Sequence, residues 1–300
     1  MGGWNYLDVE AETAGIADES LQRAVDAIRR VDQTYSVFSP QTALGRLNAS
    51  GQRVAPVDDP QMIRAIQRSL DLAGQTGGAF DPTVESLMRE FGFRSHGPAP
   101  RLNLPTLPRH QSIECDLRGG TVYREDPRLA LDSGGWAKGM AADLAAEAAL
   151  ECGATVAQVN CGYDIVRRGR GHWECLIRHP YGAVTDIAVR CRHRYPAVAT
   201  SANTETMRRR PDGTLYGHLM DPRTAQPAVS DLASATVFAA DGFRADAFAS
   251  ALFVMGKDDA SSWLRAHDDV GAVLIPRGWN NDVNQLLVFG DVECLRTRGF

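Results

Sequence analysis

The feature that most constrains the fold is the order of apolar stretches in the second half of the chain. Short runs of strand length follow one another at Val156 to Asn160, Trp173 to His179, Asp186 to Arg190, Val198 to Thr200 and Ala235 to Ala239. Two helical patterns come next, Arg244 to Met255 and Asp259 to His267, and then Val270 to Ile275 and Leu286 to Phe289 return to strand character. A parallel sheet needs a long crossover between each pair of strands. Here the strands come in runs, so the expected class is α+β, with mixed or antiparallel sheets and helices packed on them.

The first half adds an opening strand from Trp4 to Glu10, with Trp4 and Tyr6 expected inward, together with Leu7 or Val9. Asp18 is placed to cap a helix whose apolar face is Leu21, Val25, Ile28 and Val31. A clearer helix start follows at Asp59-Pro60, with Ile63, Ile66, Leu70 and Ala73 on the buried face. Val122 to Arg124 and Leu129 to Leu131 read as short strands, and a helix is expected from Ala137 to Cys152. Residues 94–111 are rich in proline and polar residues without periodicity, which predicts a long loop. Motifs on both sides of it are expected to serve one site, so residues 1–300 are read as a single domain.

Composition excludes several classes. A chain of 300 residues, 44% hydrophobic and with a net charge of -5, has the makings of a core and no sign of a nucleic-acid partner. Its basic cluster, Arg208-Arg209-Arg210, runs into Pro211-Asp212-Gly213 and reads as the flank of a solvated turn. No apolar run is long enough to span a bilayer. Met1 to Glu10 has no basic leader, apolar core or cleavage site, so a cytoplasmic location is expected. The six cysteines include no C-x-x-C pair, and free thiols are the default, with Cys161 set apart by its neighbours Asn160 and Gly162. There is no G-x-S-x-G and no H-E-x-x-H, which argues against a serine hydrolase and a zinc enzyme.

Four stretches carry candidate chemistry. Asp246 and Ser250 lie four apart on a helical pattern, which puts a carboxylate and a hydroxyl on one face. Such hard oxygens suit Mg²⁺ better than Zn²⁺; the alternative is that Asp246 bonds a backbone N–H and Ser250 only packs. His218 precedes Asp221-Pro222-Arg223-Thr224 in a tight turn, which distinguishes it from an ordinary structural histidine. Asp132-Ser133-Gly134-Gly135 opens a helix and leaves backbone N–H groups that suit a phosphate, although it is no Walker motif. Asp81, after Gly77-Gly78-Ala79-Phe80 and before Pro82, reads as a helix cap, a ligand contact or both.

Taken together, these segments resemble the ApbE family of FAD:protein FMN transferases. Gly77 to Thr83 match its T-G-G-A-F-D-P-T stretch, and Asp132 to Asp143 are similar to D-L-G-G-I-A-K-G-Y-A-x-D. Ser36 with Leu44 to Asn48 is similar to its serine and S-x-L-x-x-x-N segment, and Val159 to Asp164 to V-N-x-G-G-D. Ala199 to Ser201, His218 to Thr224 and Ala245 to Leu252 resemble A-T-S-G, S-H-I-x-D-P-x-T-G and A-D-A-L-A-T-A-L.

The resemblance implies an ApbE-like fold and a Mg²⁺-dependent transfer of FMN from FAD to a threonine or serine of a client flavoprotein, with release of AMP. It implies a FAD site lined by Ala79, Phe80, Asp81, Asp132, Lys138 and Met220, extended by Met1 and Phe38. It implies a metal held by the side chains of Asp246 and Ser250 and the backbone oxygens of Gly135 and Ala249. A helical carbonyl at Ala249 has a partner already, so a local distortion is expected there. His218 is the expected proton-transfer residue, beside Asp246 as the other catalytic position. Tyr163, Ala202 and Ala225 stand where the family has glycine, Ser250 where threonine is usual, and Trp136 where an aliphatic residue is common. Those departures keep two alternatives open: a hydrolase that splits FAD to FMN and AMP, and a non-catalytic FAD-binding protein.

Overall fold

A computed structural model describes residues 5–94, 109–171, 173–182, 185–191, 194–204, 206–295 and 298–299. The chain begins with β1 (Asn5–Glu10), α1 (Ala14–Tyr35), α2 (Ala43–Ala49), β2 (Val54–Pro56), α3 (Pro60–Gln75) and α4 (Glu85–Glu90). Next come β3 (Ile113–Asp116), β4 (Thr121–Arg124), α5 (Ala137–Glu151), β5 (Val156–Cys161), β6 (Asp164–Gly169), β7 (Trp173–Ile177), β8 (Thr185–Cys191) and β9 (Ala197–Ala202). The remainder holds β10 (Met207–Arg209), β11 (Leu215–Gly217), β12 (Met220–Asp221), β13 (Gln226–Pro227), β14 (Leu232–Ala239) and α6 (Gly242–Ala266). β15 (Gly271–Pro276), β16 (Leu287–Phe289), β17 (Val292–Cys294) and β18 (Arg298–Gly299) close it. The described strand pairs are antiparallel, so the α+β class with antiparallel sheets is what forms.

Two compact units result: one from Met1–Val31, Trp136–Glu205 and Val229–Phe300, the other from Asp32–Gly135 and Thr206–Ala228. In the first, seven strands make one sheet in the order β1-β5-β6-β9-β14-β15-β16. β14 is buried along its whole length because both faces are covered. α5 and α6 lie against one face. On the other, Val198, Phe238, Val273 and Ile275 pack with Trp173, Cys175, Ile177, Ile187 and Val189 of a second sheet built on β7 and β8.

The two helices meet almost backbone to backbone. α5 is rich in alanine, which favours a helix and presents little bulk. A Cβ added at Gly139 would run into the Gly242 carbonyl, so only glycine fits this crossing. Trp136 stacks on Phe243 with ring centroids 4.9 Å apart, pinning the start of α5 to the start of α6.

The second unit holds the β2-β4-β3 sheet, the β10-β11 and β12-β13 pairs, and α3. α3 starts as expected, with Asp59 accepting a hydrogen bond from the Gln61 N–H at 2.8 Å and Ile63, Ile66, Leu70 and Ala73 buried. Leu87, Met88, Phe93, Met220 and Ala225 form a small core.

Several expectations are corrected. α1 begins at Ala14, with the Thr13 hydroxyl accepting from the Ile16 N–H, so Asp18 lies inside the helix and does not cap it. Its buried hydrophobic residues are Ala24, Ala27, Ile28, Val31 and Tyr35; Leu21 and Val25 are only half-buried. In β1, Tyr6 faces out and Leu7 and Val9 turn inward, since a period of two admits one set only. Leu129 to Leu131 form no strand, because the Asn48 amide takes both backbone groups of Leu131 at 2.8 and 2.9 Å. Trp4 and residues 95–108 of the expected loop lie outside the described residues. Among the described residues, no helix is long and apolar enough to cross a membrane.

Candidate functional site

The first unit concentrates charge at the meeting point of α5, α6 and β6. Asp241 caps α6 by accepting from the Arg244 N–H at 2.9 Å, and Asp246 follows in the second turn, almost fully buried. Lys138, at the start of α5, donates to both Asp246 oxygens at 2.9 and 2.8 Å. The same ammonium lies 3.2 Å from Oδ2 of Asp164, the buried first residue of β6. Two ionised carboxylates around one ammonium would leave one negative charge in excess, which disfavours ionising both. Burial and the neighbouring Asp246 raise the Asp164 pKa well above the carboxylate range. Burial alone would lower the Lys138 pKa, but Asp164 and Asp246 outweigh it and hold it above its ordinary value.

Ser250 lies one turn beyond Asp246, its hydroxyl 3.1 Å from that of Ser201 in β9. The Ala199-Thr200-Ser201 and Asp246/Ser250 segments are therefore neighbours. Both Asp246 and Ser250 present hard oxygens, and a cation already sits on Asp246 in the form of the lysine ammonium. This donor set suits Mg²⁺, which takes few protein ligands and completes its shell with water and phosphate oxygens. Among the described residues, no group of three or more His, Cys, Asp or Glu side chains is arranged to hold a metal.

The expected distortion at Ala249 is absent. α6 is helical through that residue, and its non-helical backbone is at Gly256 (φ 77, ψ 178), between the two helical patterns seen in the sequence. A ligand role for the Ala249 carbonyl therefore falls to its second lone pair.

Cys161 is buried and its thiol is pushed up to about 12 by burial and by Asp164, which makes it a packing residue. Tyr163 and Ala225 both have left-handed backbones, with φ of 82 and 58, whereas Ala202 sits in the extended β9.

In the second unit, Asp81 caps the turn Pro82–Val84. One oxygen accepts from the Thr83 N–H and hydroxyl at 2.8 and 2.6 Å. The other meets the Arg109 and His110 N–H groups and His110 Nδ1 at 3.2, 3.1 and 3.0 Å. Its carboxylate is fully engaged inside the protein. Ala79 and Phe80 are buried beside it, and Met220 belongs to the small core. His218 lies between β11 and β12, edge-on to Phe93 with centroids 6.4 Å apart. Gly135 lies in the turn after Asp132-Ser133-Gly134. Met1 lies outside the described residues.

Asp132 has partners that sequence patterns did not reveal. It pairs with Arg94, whose guanidinium also reaches Glu85 at 3.3 Å and stands over the Phe38 ring at 4.7 Å. Burial and the charge of Asp132 push Glu85 up to about 8. Burial would raise Asp132 too, yet Arg94 and the Glu85 proton bring it below the usual range. Glu85 and Arg94 had no spacing signal, because each acquires its partner only through the fold; Asp164 closes the V-N-x-G-G-D-like stretch, which alone assigns it no role.

The profile of the ApbE family matches residues 5–274. The chain is 28% identical over 286 residues to a FAD:protein FMN transferase of Rhodobacter capsulatus, an alignment covering 90% of this chain and only 53% of that protein. It is 29% identical over 278 residues to one of Treponema pallidum, covering 85% of this chain and 76% of that protein. Among solved structures, the flavin transferase ApbE from Vibrio cholerae superposes with a TM-score of 0.73 at 22% identity, covering 96% and 94% of the two chains. The Pseudomonas stutzeri flavinyl transferase ApbE gives 0.73 at 21% identity, covering 97% and 90%. The fold is the same in each case. With nearly its whole length matched by the family profile and its relatives named as transferases, the chain belongs to the ApbE family.

Proposed function

We propose that this chain is a FAD:protein FMN transferase that moves FMN from FAD to a threonine or serine hydroxyl of a client flavoprotein and releases AMP. The observation that carries the reading is the Lys138, Asp164 and Asp246 centre in a chain of this family. Splitting a pyrophosphate requires charge neutralised on its oxygens and a proton removed from the incoming hydroxyl. Mg²⁺, when bound, supplies Lewis-acid stabilisation of those oxygens. We assign it to the side chains of Asp246 and Ser250 and the backbone oxygens of Gly135 and Ala249.

Lys138 binds phosphate oxygens as a compact point charge, and its carboxylate partners keep it protonated and aimed. Asp164 thus serves as a positioning residue. His218 takes the proton of the acceptor hydroxyl. Further FAD contacts are assigned to Phe38, Ala79, Phe80, Asp132 and Met220, and at Asp81 to the backbone, since its carboxylate is engaged.

The test is incubation with FAD, Mg²⁺ and a protein fragment bearing an acceptor threonine, read by intact mass. A gain of one FMN on the fragment, with AMP released, is expected. FMN and AMP formed with the fragment unmodified, or FAD left intact, would contradict transfer.

A further inference from the structure

β5 and β6 are joined by a two-residue turn, Gly162-Tyr163, and both residues are left-handed, with φ of 59 and 82. Turns of this kind favour glycine or asparagine, because a larger side chain crowds the backbone there. A tyrosine raises the backbone energy, and its ring, 55% exposed, gains little from burial in return. The ring is nevertheless held. Tyr163 donates its N–H to Asn160 Oδ1 at 3.0 Å, and its hydroxyl accepts from Arg178 Nη1 at 3.2 Å. The Arg178 guanidinium lies 5.9 Å from the ring centroid.

The turn also abuts the charged centre. A Cβ built on Gly162 would lie 3.6 Å from Lys138 Cδ, and the residue after Tyr163 is Asp164, which faces the Lys138 ammonium. An exposed aromatic residue in a costly conformation thus sits between Gly162 and Asp164, the two positions that approach the cation assigned to phosphate.

We propose that Tyr163 is a specificity-determining residue whose ring stacks on a planar heteroaromatic ring of FAD while Lys138 takes a phosphate. This rests on the transferase reading. Both the isoalloxazine and the adenine satisfy the chemistry, a flat π-system tethered to phosphate, and the experiment separates them.

The test uses the full chain, with FAD, FMN and ADP titrated by calorimetry and thermal unfolding followed in parallel. Tyr163→Gly is expected to unfold at a higher temperature than wild type yet bind FAD roughly three- to tenfold more weakly, the range of an aromatic pair. The same loss is expected for FMN alone or for ADP alone, which identifies the ring. Tyr163→Leu, which keeps the bulk and removes the π-face, should lose affinity likewise, and Tyr163→Phe should stay within about twofold of wild type. FAD binding within about twofold of wild type in both Tyr163→Gly and Tyr163→Leu overturns the proposal, as do equal losses for FMN and ADP. Wild-type protein that fails to bind FAD at all overturns the transferase reading and this inference together, a result distinct from either.

Discussion

Glu85 shows how much a single buried carboxyl can report. Its pKa of about 8, against 4.5 when free, means that the folded chain holds a proton that the unfolded chain releases. The sign follows: this stabilisation is complete below about pH 4.5 and is lost as pH rises through 8. Urea midpoints should therefore fall across that window. Glu85→Gln, which keeps a donor for Asp132 and an oxygen for Arg89, should flatten the decline between pH 6 and pH 8. An unchanged slope in the variant would show that Glu85 does not hold the proton. None of this was visible in the sequence. Glu85 lies beyond the D-P-T stretch, and its raised pKa depends on Asp132 and Arg94 being folded against it. Asp81, by contrast, was legible as a cap, because a cap and its turn are local in sequence.

Among the elements, the pair α5 and α6 matters most, since one carries Lys138 and the other Asp246. Their closeness depends on Gly139 and Gly242. Gly139→Ala should force the helices apart and destabilise the protein by about 3 kcal/mol, the upper part of the range for overpacking. It should also lengthen the contact between Lys138 and Asp246, with a loss of FAD affinity. Chemical denaturation checks the first effect, and a wild-type unfolding midpoint would refute the crossing as described. The helices themselves were readable from periodicity and from the Ala-rich pattern. Their crossing was not, because glycine in a helical run carries no record of which backbone it faces. Edge and turn details failed for a related reason: Tyr6 and Leu129 to Leu131 have strand-like sequences, and which face or partner they take is decided by neighbours distant in the chain.

For the molecule as a whole, runs of strands were enough to set the α+β class, and the ordered motifs were enough to identify the family, which the match over residues 5–274 bears out. The motif residues of the first unit, Lys138, Asp164, Ser201, Asp246 and Ser250, are scattered in sequence and joined by hydrogen bonds and ion pairs in the fold. The central claim is that this centre performs transfer and that Asp246 serves the metal more than the flavin. The most direct measurement compares Asp246→Asn with wild type at saturating FAD and Mg²⁺, following FMN attachment by intact mass and FAD affinity by calorimetry. The expected result is transfer slowed by about a hundredfold or more, the scale of losing several kcal/mol of transition-state stabilisation, with FAD affinity within a few-fold of wild type. Transfer by Asp246→Asn at the wild-type rate would contradict the account.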